Sequence, residues 1–198
     1  MKRIILLVLA TLPLIGCAKI PDENRKMEIL VHCWDRANRI DYSKPYEAIK
    51  TDINYVMNDF DEVIKKYPKW NAIYGSKRLF LRMLYGENVI TRDSFVQEYQ
   101  KVFDVYLAKN KLDDDIQTCF QYGMFKKFQG KNEECFKILE LVYDRNWKYT
   151  FNDNPSSEDI INFIAGNLLG QINKKQFTGS VYEQFFELDG EYDIFNLM

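Results

Sequence analysis

One histidine, His32, in 198 residues leaves the chain poorly supplied for nucleophile–base catalysis and for metal binding. Its neighbour Cys33 projects roughly 100° away around a helix, so the two form no ready dyad, and His32 reads as a helix-surface or core-edge residue. No His-x-x-x-His and no Cys-x-x-Cys spacing occurs, which gives zinc no ligand set. Glycine, at nine residues, is sparse too. Gly123, Gly130, Gly166 and Gly170 stand singly, so no glycine-rich loop is at hand to cradle a phosphate, and each reads instead as a turn or a close helix contact. Nor is there an excess of either charge: 27 Lys and Arg face 29 Asp and Glu, a balance that argues against a nucleic-acid partner. Catalytic residues, metal and cofactor are therefore all expected to be absent.

What is present is apolar and aromatic. Hydrophobic residues make up 46% of the chain and aromatics 15%, enough for one globular domain with a sizeable core, expected over residues 23–198. Tyr46, Ile49, Ile53, Val56, Phe60, Val63 and Tyr67 alternate three- and four-residue steps, which predicts a helix with one buried stripe. Met27, Leu30, Trp34 and Ala37 predict another before it, and similar spacing recurs over 70–85, 91–108, 112–129, 132–145 and 157–172, with a shorter run at 179–188. Pro45 and Pro155 precede such runs, Pro68 follows one, and Thr91 and Ser156 stand where N-caps belong. Two-residue alternation is confined to Trp147, Tyr149 and Phe151. The fold class is all-α. Short connections such as Gly130-Lys131-Asn132 imply antiparallel helical hairpins, stacked as a solenoid or as an irregular bundle.

Apolar triplets with 4+3 spacing at Val56/Phe60/Val63, Phe95/Tyr99/Val102 and Cys135/Leu139/Val142 begin 39 and 40 residues apart. In this the chain resembles tetratricopeptide-type helical repeat proteins, whose unit is about 34 residues. Tyr122-Gly123 stands where that pattern has Leu-Gly, Cys135 where it has Ala, Leu139 where it has Phe, and Phe60 and Pro68 match the end of a unit. Cys119, Lys126 and Trp147 depart from the Trp, Tyr and Pro of the pattern. The resemblance implies helix pairs that present a surface to a protein partner.

The N-terminus carries an address. Met1-Lys2-Arg3 is followed by an apolar run from Ile4 through Ile15 and then by Gly16-Cys17, the layout of a secretory signal, and the run is shorter than a spanning helix of about 20 residues. Leu14-Ile15-Gly16-Cys17 resembles the lipobox of bacterial lipoproteins, which implies removal of residues 1–16, attachment of fatty acyl chains such as palmitate to Cys17, and a short tether over 17–22. Ala18, rather than Asp, implies the outer membrane if the cell is Gram-negative. Loss of Lys2 and Arg3 leaves 25 basic residues against 29 acidic, so anionic lipid should not attract the mature domain.

Asp113-Asp114-Asp115 lies just before Ile116 and reads as a helix cap, without the Gly and terminal Glu of a calcium loop; Asn152-Asp153-Asn154-Pro155 fails the same test. Cys33, Cys119 and Cys135 are an odd set in a compartment that permits disulfides, and Cys119 and Cys135 sit eleven and five residues from Gly130, an axial offset of about 9 Å that keeps them apart as small core residues. From Tyr182 to Met198 the chain is rich in both aromatics and acids, readable either as a last helix and tail covering the end of the stack or as a surface offered to a partner. Together these readings point to a non-enzymatic envelope lipoprotein, a scaffold or adaptor for a protein partner. Two rivals remain: an immunity or exclusion lipoprotein that neutralises a toxin or phage component, and a glycan-binding or carbohydrate-active protein, which would need an aromatic-lined groove and, for catalysis, a facing carboxylate pair that nothing in the sequence singles out.

Overall fold

The computed structural model describes residues 21–145, 147, 155–186, 194–195 and 197–198. Among them seven α-helices follow one another with no strand: α1 (Pro21–Ala37), α2 (Tyr46–Lys66), α3 (Asn71–Gly86), α4 (Arg92–Leu107), α5 (Ile116–Phe128), α6 (Asn132–Val142) and α7 (Ser157–Leu168). The all-α class and the helical hairpins are as the periodicity predicts. Consecutive helices pack on one another from α1 to α4 and from α5 to α7, and α5 also touches α7. None of the described helices is long and apolar enough to cross a membrane.

The helix ends follow local chemistry. Thr91 accepts the Ser94 N–H at 3.2 Å to start α4, and Asp115 accepts that of Gln117 to start α5. Asp115 thereby splits the predicted 112–129 run: Leu112–Asp114 is a separate 3-10 turn, in which Asp114 accepts the Lys111 N–H, and the α-helix starts only at Ile116. Ser156 and Asp159 form a reciprocal capping box at α7. Gly130, at φ +77°, ends α5; its N–H bonds the Lys127 carbonyl and the next N–H bonds that of Lys126, a reversal that an L side chain would strain.

The core is one continuous cluster. Along α2, Ile49, Ile53, Val56, Phe60 and Val63 are buried as the stripe predicts, while Tyr46 at its start is exposed and Tyr67 at its end half-buried. Phe60 meets Phe80 of α3 at 5.9 Å and Trp34 of α1 at 6.2 Å between ring centroids. Gly123 brings α5 against α6: a Cβ there would stand 3.2 Å from Leu139 Cδ2 and 3.3 Å from Ile138 Cγ2. Over its described part, 179–186, the predicted last helix does not form. Lys174–Phe177 and Glu183–Phe185 are 3-10 turns, and they seat Phe177 and Tyr182 on Phe163 of α7 at 4.9 and 4.8 Å.

Candidate functional site

Cys17, with its lipobox, and the 152–154 loop lie outside the described residues. His32 is exposed on α1, and the neighbouring Cys33 is buried. Cys33, Cys119 and Cys135 are all free thiols in the core. Burial pushes Cys33 up to about 11, with Asp59 adding to it, and Cys119 up to about 12, with Asp113 and Asp115 adding to it. Burial raises Cys135 to about 11 against the opposing pull of Lys127. Thiols so protonated are packing residues rather than nucleophiles. Asp115 is spent on its cap and on the Thr118 hydroxyl, which donates to it at 2.6 Å. Among the described residues no three His, Cys, Asp or Glu side chains gather as a metal ion would need.

Two places do concentrate functional groups. The first is a cleft of about 380 Å³ between α1 and α2, lined by Arg36, Arg39, Ile40, Asp52 and Tyr55. Arg36 donates to Asp59 of α2 at 2.7 Å, which holds its guanidinium 5.9 Å from the ring centre of Tyr55. Tyr55 is 56% exposed, and Arg39 and Asp52 stand in solvent beside it. A large amphipathic ring with two arginines is the composition that protein interfaces favour.

The second place lies between α3, α4 and α5. Three cations on these helices are buried: Lys77, Arg78 and Lys126. Lys77 reaches Asp61, and Lys126 reaches Glu134 at 3.3 Å, each a carboxylate half in water. Arg78 donates to neutral acceptors, Gln121 Oε1 at 2.9 Å and Thr118 Oγ1 at 3.3 Å, lies beside the Tyr99 hydroxyl, and packs its guanidinium on the Phe103 ring at 4.7 Å. Its Nε and Nη1 find no acceptor, although the residue is only 2% exposed. Desolvation lowers the pKa of Arg78, and likewise that of Arg82 one turn on. Both charges act on Tyr99 of α4, whose own pKa burial raises. The Tyr99 hydroxyl donates to the main-chain oxygen of Met198 at 3.0 Å.

That bond belongs to a set of contacts made by Ile194, Phe195 and Met198. Ile194 and Met198 are buried, and the Phe195 ring lies between three helices, 5.3 Å from Tyr85, 5.9 Å from Phe95 and 6.3 Å from Phe128, with Arg82 5.4 Å from its centre. The aromatic-acidic stretch from Tyr182 is thus used twice for packing, through Tyr182 on α7 and through Phe195 on α3–α5. Sequence reasoning missed Arg78, Arg82 and Tyr99 as a group. Tyr99 was legible as an apolar-stripe position, but an arginine at the i+4 spacing of a helix reads as solvated surface until the neighbours that bury it are known. No family model matches the chain, and neither a curated protein nor a solved structure matches it significantly.

Proposed function

We propose that the chain is an envelope lipoprotein, held to a membrane through acyl chains on Cys17, whose helical hairpins bind a protein partner. The observation that carries the binding half is the α1–α2 cleft, where the exposed Tyr55 ring and the Arg36 and Arg39 guanidiniums share one surface. Arg36 is fixed by Asp59 and so loses little freedom when a partner docks. The tetratricopeptide-like spacing supports the same role, and the lipobox residues Leu14 to Cys17 support the anchor.

The two halves separate experimentally. Labelled palmitate should enter the wild type and not Cys17→Ala, and that variant should leave the membrane fraction; unchanged retention would remove the anchor. A photo-crosslinking residue at position 55 of the lipidated chain, in its native envelope, should trap one protein. Arg39→Glu should abolish the adduct while the chain stays folded and anchored, mainly by slowing association. No adduct, or one indifferent to Arg39→Glu, would remove the binding surface.

A further inference from the structure

The stretch from Val63 to Trp70 holds Lys65, Lys66 and Lys69 with no acid, and that from Val105 to Leu112 holds Lys109 and Lys111 with none. These two turns, α2 to α3 and α4 to α5, meet at Pro68, whose carbonyl accepts from the Asn110 amide at 3.0 Å and from the Tyr74 hydroxyl at 2.9 Å. All five lysines are exposed, and none makes an ion pair among the described residues. Two half-buried rings stand with them, Tyr67 and Trp70, edge-on at 6.3 Å. Lys66 Nζ lies 5.3 Å and Lys26 Nζ 5.4 Å from the centre of the Tyr67 ring. Because Lys26 is in the second turn of α1, that contact sets the start of α1 beside the end of α2. Acids border the surface at Asp22 and Glu23, at Glu62, and at Asp104 and Asp113; Glu23 is met by Lys26 at 2.8 Å.

We propose that this end of the stack lies against the membrane that holds Cys17, its lysines on anionic lipid headgroups and Tyr67 and Trp70 at headgroup level. The inference rests on the acyl anchor of the preceding reading. Cys17 and Pro21 are four residues apart, a reach of at most about 14 Å, so the start of α1 stays close to the bilayer and brings the α2–α3 turn with it. Lysines act on anionic lipid over a Debye length of about 8–10 Å, and so short a tether holds them at that range. Lysine with tyrosine and tryptophan is the composition that the headgroup layer favours. The mature chain as a whole has more acids than bases, which predicts no attraction. A tether of four residues makes the charge of the presented face count for more than the sum over the chain. The α1–α2 cleft then stands away from the lipid: Lys26 and Ala37 are eleven residues apart, about 16 Å of helix, and Arg36 and Arg39 lie at the far end, open to a protein partner.

The test uses the full acylated chain in vesicles of phosphatidylcholine, alone or with about one third phosphatidylglycerol, at about 0.1 M salt. An NBD fluorophore is attached at Ala72→Cys, exposed in the first turn of α3, or at Arg39→Cys beyond the far end of α1; Cys33, Cys119 and Cys135 are buried from the reagent. With phosphatidylglycerol present, nitroxide on the headgroups should quench the label at 72 and spare the label at 39. Omitting the anionic lipid, or raising salt to about 0.5 M, should remove most of the quenching at 72. Each lysine at the surface shifts the ratio of docked to undocked domain about fivefold, so Lys65→Glu, Lys66→Glu and Lys69→Glu together should lower it about a hundredfold or more. Equal quenching at 72 and 39, or quenching at 72 that ignores both anionic lipid and salt, overturns the membrane face, and neither outcome depends on the triple variant folding. Mass spectrometry of the same sample reads the anchor. Cys17 without acyl chains overturns the anchor and this face with it, whereas an acylated chain that fails the quenching test overturns the face alone.

Discussion

Arg78→Met should leave the protein as stable as wild type or more so, against the usual expectation for replacing a buried, hydrogen-bonded side chain. The wild-type side makes two hydrogen bonds through Nη2, at 2.9 and 3.3 Å, and one cation–π contact with Phe103. Bonds from a charged donor contribute about 1.5–3 kcal/mol at good geometry, less at 3.3 Å. Against them stand the desolvation of a guanidinium, still several kcal/mol per ion after relaxation, and two orphaned N–H groups at about 1–3 kcal/mol each. Methionine keeps most of the volume and the contact with Phe103, Thr118 keeps its bond to Asp115, and the half-buried Gln121 can turn to water. The balance runs from about zero to about 3 kcal/mol in favour of the variant, by analogy with buried ions replaced by apolar residues. Urea unfolding of the mature chain at pH 7 reads it as a rise in midpoint at constant slope. Arg78→Ala, which adds a cavity, should instead be less stable than Arg78→Met. A loss of more than about 2 kcal/mol in Arg78→Met at unchanged slope would refute the reasoning, because the guanidinium would then be well compensated in the fold.

Phe60→Ala should destabilise by about 3–5 kcal/mol in the same assay, since a fully buried ring leaves a cavity against Phe80 and Trp34, whereas Lys50→Ala in solvent should stay within about 0.5 kcal/mol. Ellman's reagent at pH 8 should find Cys33, Cys119 and Cys135 unreactive in the native protein and all three reactive in guanidinium; a deficit on unfolding would show a disulfide. Their folded pKa values of about 11 to about 12 lie above the unfolded value near 9, so their contribution is complete below pH 9 and falls as pH rises toward the folded values, which alkaline melting curves of wild type and Cys135→Ala should register. Ser156→Ala should cost about 1 kcal/mol by removing the α7 cap. Bonds from Ser156 and then Trp147 hold the Asp159 carboxyl below its ordinary value, so its contribution is present above the unfolded pKa and lost as pH falls through the folded one; acid titration of melting should be shallower in the variant.

Helix order and core faces were legible because each α-helix from α2 onward repeats its apolar residues at the 3.6-residue period, and because Thr91 and Ser156 are short oxygen-bearing side chains at the right place to cap. The 179–188 run misled for the same reason. Its apolar residues match the helical period, but Gly179 at φ +78° and the Ser180 side chain, which bonds the Phe177 carbonyl, hold the chain in turns while Tyr182 satisfies the core. The Arg36–Asp59 pair also escaped, since a charge on a helix face shows nothing of the partner 23 residues away, and Asp59 reads as plain surface. The grouping around Arg78 was harder still. Arg78, Tyr99 and Met198 are far apart in sequence, and their meeting depends on tertiary packing that no local period encodes.

The bond between Tyr99 and Met198 closes a loop of 99 residues, more than twice the 43 residues spanned by the Arg78–Gln121 bond between α3 and α5. Helix pairs close quickly and in order as the polypeptide emerges, whereas a closure of that length is slower and must await residues that come after every described helix. For an interval in each molecule's life α3, α4 and α5 are therefore assembled before the Phe195 ring comes to lie among Tyr85, Phe95 and Phe128.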